Sequence, residues 1–496
     1  MPAWSGWQED RDGRQLGERM STFIQSKADT LANTQEVASY LQDSCHAHLV
    51  GIGGAGMNGL ASALSWKGVE VSGCDLRRSA VTERLEREGI RIHLGHSEAH
   101  LEGVDLLVLS SAIQRGNPEV SAALKRHIPT VGRAEALAAL LQGQETFAVC
   151  GTHGKTTTTA MFYSILEHAG QSPNLLIGGK MPGDQRYARR GETNTWIVEA
   201  DESDASFLHL SPSGVVLTNV DTDHLDNYGS LEAIEEAFAR FLLLLPENGW
   251  AVLNRDCPSS ERLLSCYGNV ISFGQSSGAN VRAEDVRLNG TGSSFHLYVD
   301  GHRTGFIRVS VPGKHNVLNA LACIAAAQKV GVPFSKVADA LAHFRPVSRR
   351  LERKGCEKHI VVLDDYAHHP TAIRRAIETA RLACEGSLRV VFQPHRYSRT
   401  QWLLKEFGRA FGEADEVIVS DIYGAGETPI SGIDGKSIVD VIQASGHPVA
   451  TYLSSLELIL ERLIGRTRPG DVVLTLGAGD IDGVAEMFLK YLREES

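Results

Sequence analysis

The sequence lacks any long apolar run; its richest stretch, the FLLLL of residues 241–245, stops at Pro246. A bilayer crossing needs roughly 20 such residues, which excludes a spanning helix and predicts no membrane insertion. The opening stretch, MPAWSGWQEDRDGRQLGERM, has no apolar h-region, so no secretory signal is expected. Eight cysteines stand at 45, 74, 150, 257, 266, 323, 356 and 384, with no CxxC pair and no metal-like spacing. Reduced thiols of a cytoplasmic protein are the expectation. A positive balance is missing too: 49 basic residues against 60 acidic ones give a formal charge of −11. That excludes a general nucleic-acid binder, although a local site can still hold an anionic ligand. What the chain does have is size and core material. Its 496 residues and 42% apolar content rule out wholesale disorder and predict about three domains.

Residues 1–44 carry charged and small polar residues without a sustained period, and read as an extension with a helix near 31–42. From His48 onward short apolar runs alternate with amphipathic stretches, the pattern of βαβ units. The first block has expected strands at 48–52, 69–74 and 105–110 and helices at 57–66 and 81–88. The second opens with a strand at 146–150 and a helix to about 169, in which Met161, Phe162, Ile165, Leu166 and Ala169 share one apolar face. Strands at 195–200 and 214–220 follow, and 269–311 reads as an antiparallel appendage. A third block has strands at 360–364, 388–393, 416–420 and 471–476. Three α/β blocks with joints near 143–146 and 347–350 are the simplest parse.

The strongest local motif is Gly151, Thr152, His153, Gly154, Lys155, Thr156 and Thr157 between a strand and a helix. Such a turn aims backbone N–H groups at one anion, Lys155 adds a point charge, and the Thr156 hydroxyl suits Mg²⁺. The loop is shorter than GxxxxGK[ST], because Val149 stands where the first glycine belongs. Two acid-rich strand ends lie downstream, Glu199-Ala200-Asp201-Glu202-Ser203-Asp204 and Asp221-Thr222-Asp223-His224-Leu225-Asp226. Each could be a solvated loop; together with a phosphate loop they point to a metal–nucleotide site. Gly51, Gly53 and Gly56 form GxGxxG after a strand, with Asp75 about 20 residues on, which fits a dinucleotide or any other pyrophosphate. In the third block Asp365, Tyr366, His368 and then Arg396 and Arg399 follow strand ends. Two arginines three apart at a helix start can converge on one small carboxylate. Arg349 and Arg350 would either reach a nucleotide phosphate or form a basic linker.

The boxes GIGGAGM, GTHGKTTTT, EADESD, DHLD, GKHNVLNALA, DDYAHHPTAI and FQPHRYSRT together resemble the bacterial Mur ligases, in register from about His48 to Gly483. The resemblance implies an α/β protein of three domains after an N-terminal extension at 1–44. These are a Rossmann-like UDP-sugar-binding domain at 45–145, a central P-loop ATPase-like domain at 146–347 and a Rossmann-like amino-acid-binding domain at 348–496. It implies ATP-dependent ligation of L-alanine to UDP-N-acetylmuramate, with ATP and Mg²⁺, in a cytoplasmic monomer or weak homodimer. By the same resemblance Lys155, Glu199 and His224 are catalytic, and Thr156, Glu199 and His224 hold the metal. ATP falls to Gly151–Thr157, Asn316, Asn319, Arg350 and Asp365. The UDP-sugar falls to Gly53, Gly54, Ala55, Gly56, Met57, Asp75, Ser111, Arg133 and His153, and the amino acid to Tyr366, His368, Arg396 and Arg399. Ala367 stands where the family pattern leads one to expect glycine, which predicts a slightly different turn there. Three other readings stay open: a sibling ligase that attaches a recovered peptide, an NAD-dependent oxidoreductase read from the glycine turn alone, and a non-catalytic nucleotide-binding regulator.

Overall fold

The computed structural model describes residues 34–41, 45–113, 116–184, 186–447 and 449–494. Of the N-terminal extension, 34–40 is helical, within the expected 31–42; the rest lies outside the described residues. The chain forms two compact units, one running to Thr146 and including Ser206–Ser211, the other comprising Phe147–Ala205 and Pro212–Ser496.

The first unit holds a five-stranded sheet of β1 (His46–Val50), β2 (Glu70–Asp75), β3 (Arg91–Leu94), β4 (Leu106–Leu109) and β5 (Thr130–Gly132). The order is β3-β2-β1-β4-β5 and every pairing is parallel. The order reverses beside β1, so the crevice after its carboxyl end is the natural ligand site of such a sheet. β1 reads HAHLV and is buried along its whole length, as a central parallel strand must be. The helix Ala55–Trp66 follows it and buries Met57 through Leu64.

The second unit contains two sheets. The larger has ten strands: β6 (Glu145–Cys150), β7 (Asn174–Leu176), β8 (Ala188–Arg189), β9 (Thr195–Glu199), β10 (Gly214–Leu217), β11 (Trp250–Asn254), β12 (Val270–Gly274), β13 (Val281–Asn289), β14 (Gly292–Val299) and β15 (His302–Val309). They run in the order β15-β14-β13-β12-β11-β10-β6-β9-β7-β8. This corrects the expectation of an antiparallel appendage over 269–311. β12 pairs parallel with β11 and β13 parallel with β12, and only the β13–β15 meander is antiparallel. Alternating burial along β14, with Phe295 and Leu297 inside, carries the same core outward through the meander. The helix Lys155–His168 is buried nearly all round, not on one face, because the helix Lys314–Lys329 covers its other side. Cys323 of that second helix donates to the Thr158 carbonyl at 3.4 Å.

The smaller sheet comprises β16 (Glu352–Glu357), β17 (Ile360–Asp365), β18 (Leu388–Phe392), β19 (Glu416–Val419), β20 (Ala450–Tyr452) and β21 (Val472–Leu476). Its order is β16-β17-β21-β18-β19-β20, parallel except for the edge strand β16. Apolar clusters cover both faces, one built on Phe392, Phe407 and Phe411, the other on Phe488, Ile459 and Leu463. The expected strands of all three blocks are present to within a few residues. Strands β3, β5, β7, β8, β11, β16 and β20 were not anticipated.

Candidate active site

The loop after β6 is locked before any ligand arrives. Gly151 sits at φ +122° and Gly154 at φ +82°, where a side chain is strained. There is no room for one either: a Cβ on Gly151 would lie 2.2 Å from Thr218 Oγ1, and one on Gly154 2.7 Å from Asn319 Oδ1. The Thr218 hydroxyl and the Asn219 amide donate to the His153 carbonyl at 2.7 and 2.9 Å, and His153 N–H donates to Asn219 Oδ1 at 3.0 Å. Gly154 caps the helix Lys155–His168, whose first N–H groups have no intrahelical acceptor.

Lys155 folds back over the loop. Its ammonium donates to the Gly151 carbonyl at 2.8 Å and pairs with Glu202 at 2.7 Å. Burial alone would lower the ammonium pKa, but Glu202, Asp201 and Glu199 outweigh it and hold Lys155 charged. Glu202 is 2% exposed; burial, opposed by Lys155, pushes its carboxyl up to about 7. Its Oε2 has no hydrogen-bond partner.

Thr156 and Glu199 meet at 2.8 Å, and the other oxygen of Glu199 accepts from Gly178 N–H at 2.6 Å. His224, in the left-handed conformation at φ +54°, brings Nε2 to 3.8 Å from both Glu202 and Asp223. Burial lowers its pKa, leaving a neutral ring. The oxygens of Thr156, Glu199 and Glu202 with one neutral imidazole are a donor set that suits a hard dication completed by phosphate oxygens. His153 instead bonds Asp221 at 3.0 Å; that hydrogen bond is the main cause of the carboxylate's lowered pKa.

The smaller sheet supplies the opposite wall. Of the arginine pair, Arg349 turns inward, donating to Asp364 at 3.0 Å and to the Gly479 and Gly477 carbonyls at 2.8 and 2.7 Å. Arg350 turns outward and donates to Thr156 Oγ1 at 3.0 Å. Asp365 accepts from the Leu351 and Ala367 N–H groups at 2.7 and 2.8 Å, and burial raises its pKa. Ala367 is buried and is not among the residues at positive φ, so its methyl group needs no unusual turn. A cavity of about 640 Å³ is lined by Thr152 through Thr157, Glu199, His224, Asn316, Asn319, Arg350, Asp365, Tyr366 and His368. Asn319 donates to Asn316 at 3.1 Å, and Asn316 to the Pro312 carbonyl at 2.7 Å.

A second, small hollow of about 40 Å³ adjoins it, lined by Asp223, His224, Arg396, Arg399 and Trp402. Arg399 lies 3.8 Å from Asp223 and 3.3 Å from His395, whose pKa burial and Arg399 lower to about 4. Arg396 is exposed, at φ +69°, and caps the helix Tyr397–Trp402. Tyr366 and His368 pack edge to face at 5.4 Å, and His368 stands 5.5 Å from His395.

In the first unit, Gly53 N–H donates to Asp75 Oδ2 at 2.9 Å, so Asp75 braces the glycine turn. Gly54 and Ala55 open the helix Ala55–Trp66, and a Cβ on Gly56 would lie 3.0 Å from the Arg133 side chain. Ser111 is exposed beyond β4, whereas the Met57 side chain is buried in the core. His153 belongs to the second unit.

Sequence reasoning had Glu202 and Asp223 only as members of the acid-rich strand ends and gave no role to Asn219 or His369. Only the acid-rich texture of the two strand ends hinted at the first two. Nothing in the sequence marked Asn219 as the brace of the loop.

Comparison with known proteins brings in the chemistry. The chain matches the Mur ligase family catalytic domain over residues 46–145, the Mur ligase middle domain over 149–327 and the Mur ligase glutamate ligase domain over 349–479. It is 44% identical over 452 residues to the UDP-N-acetylmuramate–L-alanine ligase of Pelobacter propionicus, covering 90% of this chain and 98% of that one. Among solved structures it resembles the UDP-N-acetylmuramate–alanine ligase of Thermotoga maritima, with TM-score 0.78 and 31% identity over 91% of this chain and all of the other. A murein peptide ligase of Psychrobacter arcticus matches with TM-score 0.68 and 26% identity, covering 90% and 99%.

Proposed function

The chain belongs to the Mur ligase family, and from that premise we propose that it joins L-alanine to the lactyl carboxylate of UDP-N-acetylmuramate at the expense of ATP. It is an ATP-dependent amide-forming ligase of peptidoglycan precursor synthesis. The observation that carries the site assignment is the convergence of Lys155, the Thr156–Glu199 pair and Arg350 on one loop.

Condensing a carboxylate with an amine in water is uphill, so the carboxylate must be activated first. Its oxygen attacks the γ-phosphorus of ATP in line, giving an acyl phosphate and ADP. The alanine amine then attacks the acyl carbon, and phosphate leaves from the tetrahedral intermediate. Lys155 and the N–H groups of the helix Lys155–His168 hold the triphosphate and offset charge that builds on the transferring group. Mg²⁺ would be held by Thr156, Glu199 and His224, with Glu202 beside them, and supplies Lewis-acid charge neutralisation. Arg350 closes the phosphate site from the smaller sheet.

Asn316 and Asn319 line the nucleotide cavity, and Asp365 fixes the turn that carries Arg350. Arg396 and Arg399 receive the alanine carboxylate, with Tyr366 and His368 shaping the space around its amine. The glycine turn at Gly53–Gly56, with Asp75, Ser111 and Arg133, takes the UDP-sugar. The hollow at Arg399 supports a site for the carboxylate of a single amino acid. No helix among the described residues is long and apolar enough to cross a membrane, and the described cysteines form no disulfide, in keeping with work in the cytoplasm, where ATP is made.

Phosphate release tests the reading. With UDP-N-acetylmuramate and ATP present, L-alanine should support release and a recovered tripeptide should not. Release with the tripeptide alone would assign the chain to the sibling reaction instead.

A further inference from the structure

The first unit gathers a second cluster of reactive side chains, remote in kind from nucleotide chemistry. Four segments deliver it: His48 from β1, Cys74 from β2, His100 from the 3₁₀ turn Glu98–Leu101 and Glu119 from the first turn of the helix Pro118–Arg126. His48, Cys74 and Glu119 are fully buried, and one N, S or O atom from each of the four residues lies within 4.8 Å of the others.

The hydrogen bonds fix which way His48 points its lone pair. His46 Nδ1 lies 3.0 Å from the Gly103 carbonyl, which only accepts, so that nitrogen carries the proton. Its Nε2 then accepts from the Ser72 hydroxyl at 2.7 Å. The Ser72 oxygen then accepts from His48 Nδ1–H at 2.8 Å, which leaves the lone pair on His48 Nε2. That atom is buried without a hydrogen-bond partner and faces Glu119 Oε1, another acceptor, at 3.6 Å. A cation placed between the two atoms satisfies both lone pairs.

The other donors complete the set. Glu119 has Cys74 Sγ at 3.2 Å and His100 Nδ1 at 2.6 Å, and the His100 ring is stacked on His93 at 4.3 Å. His96 bonds the second carboxylate oxygen at 3.0 Å, as an outer partner that orients a ligand. We propose that His48, Cys74, His100 and Glu119 form a closed structural zinc site in the N-terminal unit. The charges balance: one dication against one thiolate and one carboxylate, with two neutral imidazoles, is electrically neutral and can be buried. The donors are of the mixed N, S and O kind that zinc accepts in tetrahedral geometry. Zinc–ligand bonds of about 2.0–2.3 Å put ligand atoms roughly 3.3–3.8 Å apart, so the His100–Glu119 contact at 2.6 Å must open by about 1 Å. On binding, the Cys74 thiol proton passes to solvent and the sulfur takes up the metal. The ion would tie together β1, β2 and the two following connections, directly beneath the glycine turn whose Gly51 N–H bonds the Cys74 carbonyl at 2.9 Å.

Cobalt(II) titration of the purified full-length chain is the test. Expected is a near-ultraviolet thiolate-to-cobalt band saturating at about one ion per chain, displaced by zinc. Cys74→Ser should cut that band by about tenfold or more while circular dichroism stays native, and Cys257→Ser should leave it unchanged. Absence of the band in the unmutated protein, or its survival in Cys74→Ser, overturns the proposal. Should Cys74→Ser not fold, X-ray absorption of the zinc-loaded unmutated chain decides: one sulfur at about 2.3 Å supports the site, and a shell of nitrogen and oxygen alone refutes it.

Discussion

Arg350 and Thr156 are 194 positions apart in sequence, yet the Arg350 guanidinium donates to the Thr156 hydroxyl at 3.0 Å. The same hydroxyl donates to Glu199 at 2.8 Å, so the smaller sheet reaches into the phosphate site of the larger one. Charge delivered there counts most when the phosphoryl group is in flight. Arg350→Lys keeps the charge but not the planar fork. We expect it to lower kcat on the order of 10–100-fold, with a folded protein. Unchanged kcat in steady-state assays would remove Arg350 from the reaction.

Glu202 predicts a pH signature in stability. Its folded pKa of about 7 stands above the ordinary 4.5, because burial outweighs the pull of Lys155. Between those two values the folded chain holds a proton that the unfolded chain has released. Raising the pH through that window therefore costs stability. The melting temperature should fall more steeply from about pH 5 to about pH 7 in the unmutated protein than in Glu202→Gln. Equal slopes would show that Glu202 titrates normally.

Glu199 predicts a metal effect. A neutral amide is a poorer ligand for a hard dication than a carboxylate. Glu199→Gln should shift the magnesium titration of phosphate release upward by about tenfold or more. A curve that does not move would leave Glu199 as a brace for Gly178, which it also holds at 2.6 Å.

Arg399 predicts a substrate-specific effect. It is the more enclosed of the two arginines, set against Asp223 and His395, while Arg396 is exposed. Arg399→Lys should raise KM for L-alanine by about tenfold, on the order of 1.4 kcal/mol, and Arg396→Lys by less. KM for ATP should change little in either. A uniform rise in all KM values would point to a disturbed site, not a lost alanine contact.

Much of this was legible beforehand, for physical reasons. Parallel strands buried on both faces leave continuous apolar runs, so β6, β10 and β17 announced themselves. The GTHGKT loop was legible because its glycines are forced by backbone and by close neighbours alike. The three-residue strands β5, β7 and β20 were not, since sheet pairing, not propensity, holds them extended. Of the four acids in EADESD, sequence gave no means to see that Glu202 and not Asp201 pairs with Lys155. That choice is made by the turn after β9. Cysteine spacing likewise hid Cys74, whose partners come from three other segments. Arg349 and Arg350 were indistinguishable as a basic pair; the left-handed turn at Arg349 sends one inward and the other to Thr156.

The central claim is that the lactyl carboxylate is activated as an acyl phosphate. Heavy-oxygen labelling of that carboxylate in UDP-N-acetylmuramate tests it most directly, with ATP and L-alanine supplied and the released phosphate read by mass spectrometry. The account predicts that phosphate carries one labelled oxygen per turnover and that the second stays in the new amide carbonyl. Unlabelled phosphate alongside the same amide product would contradict it.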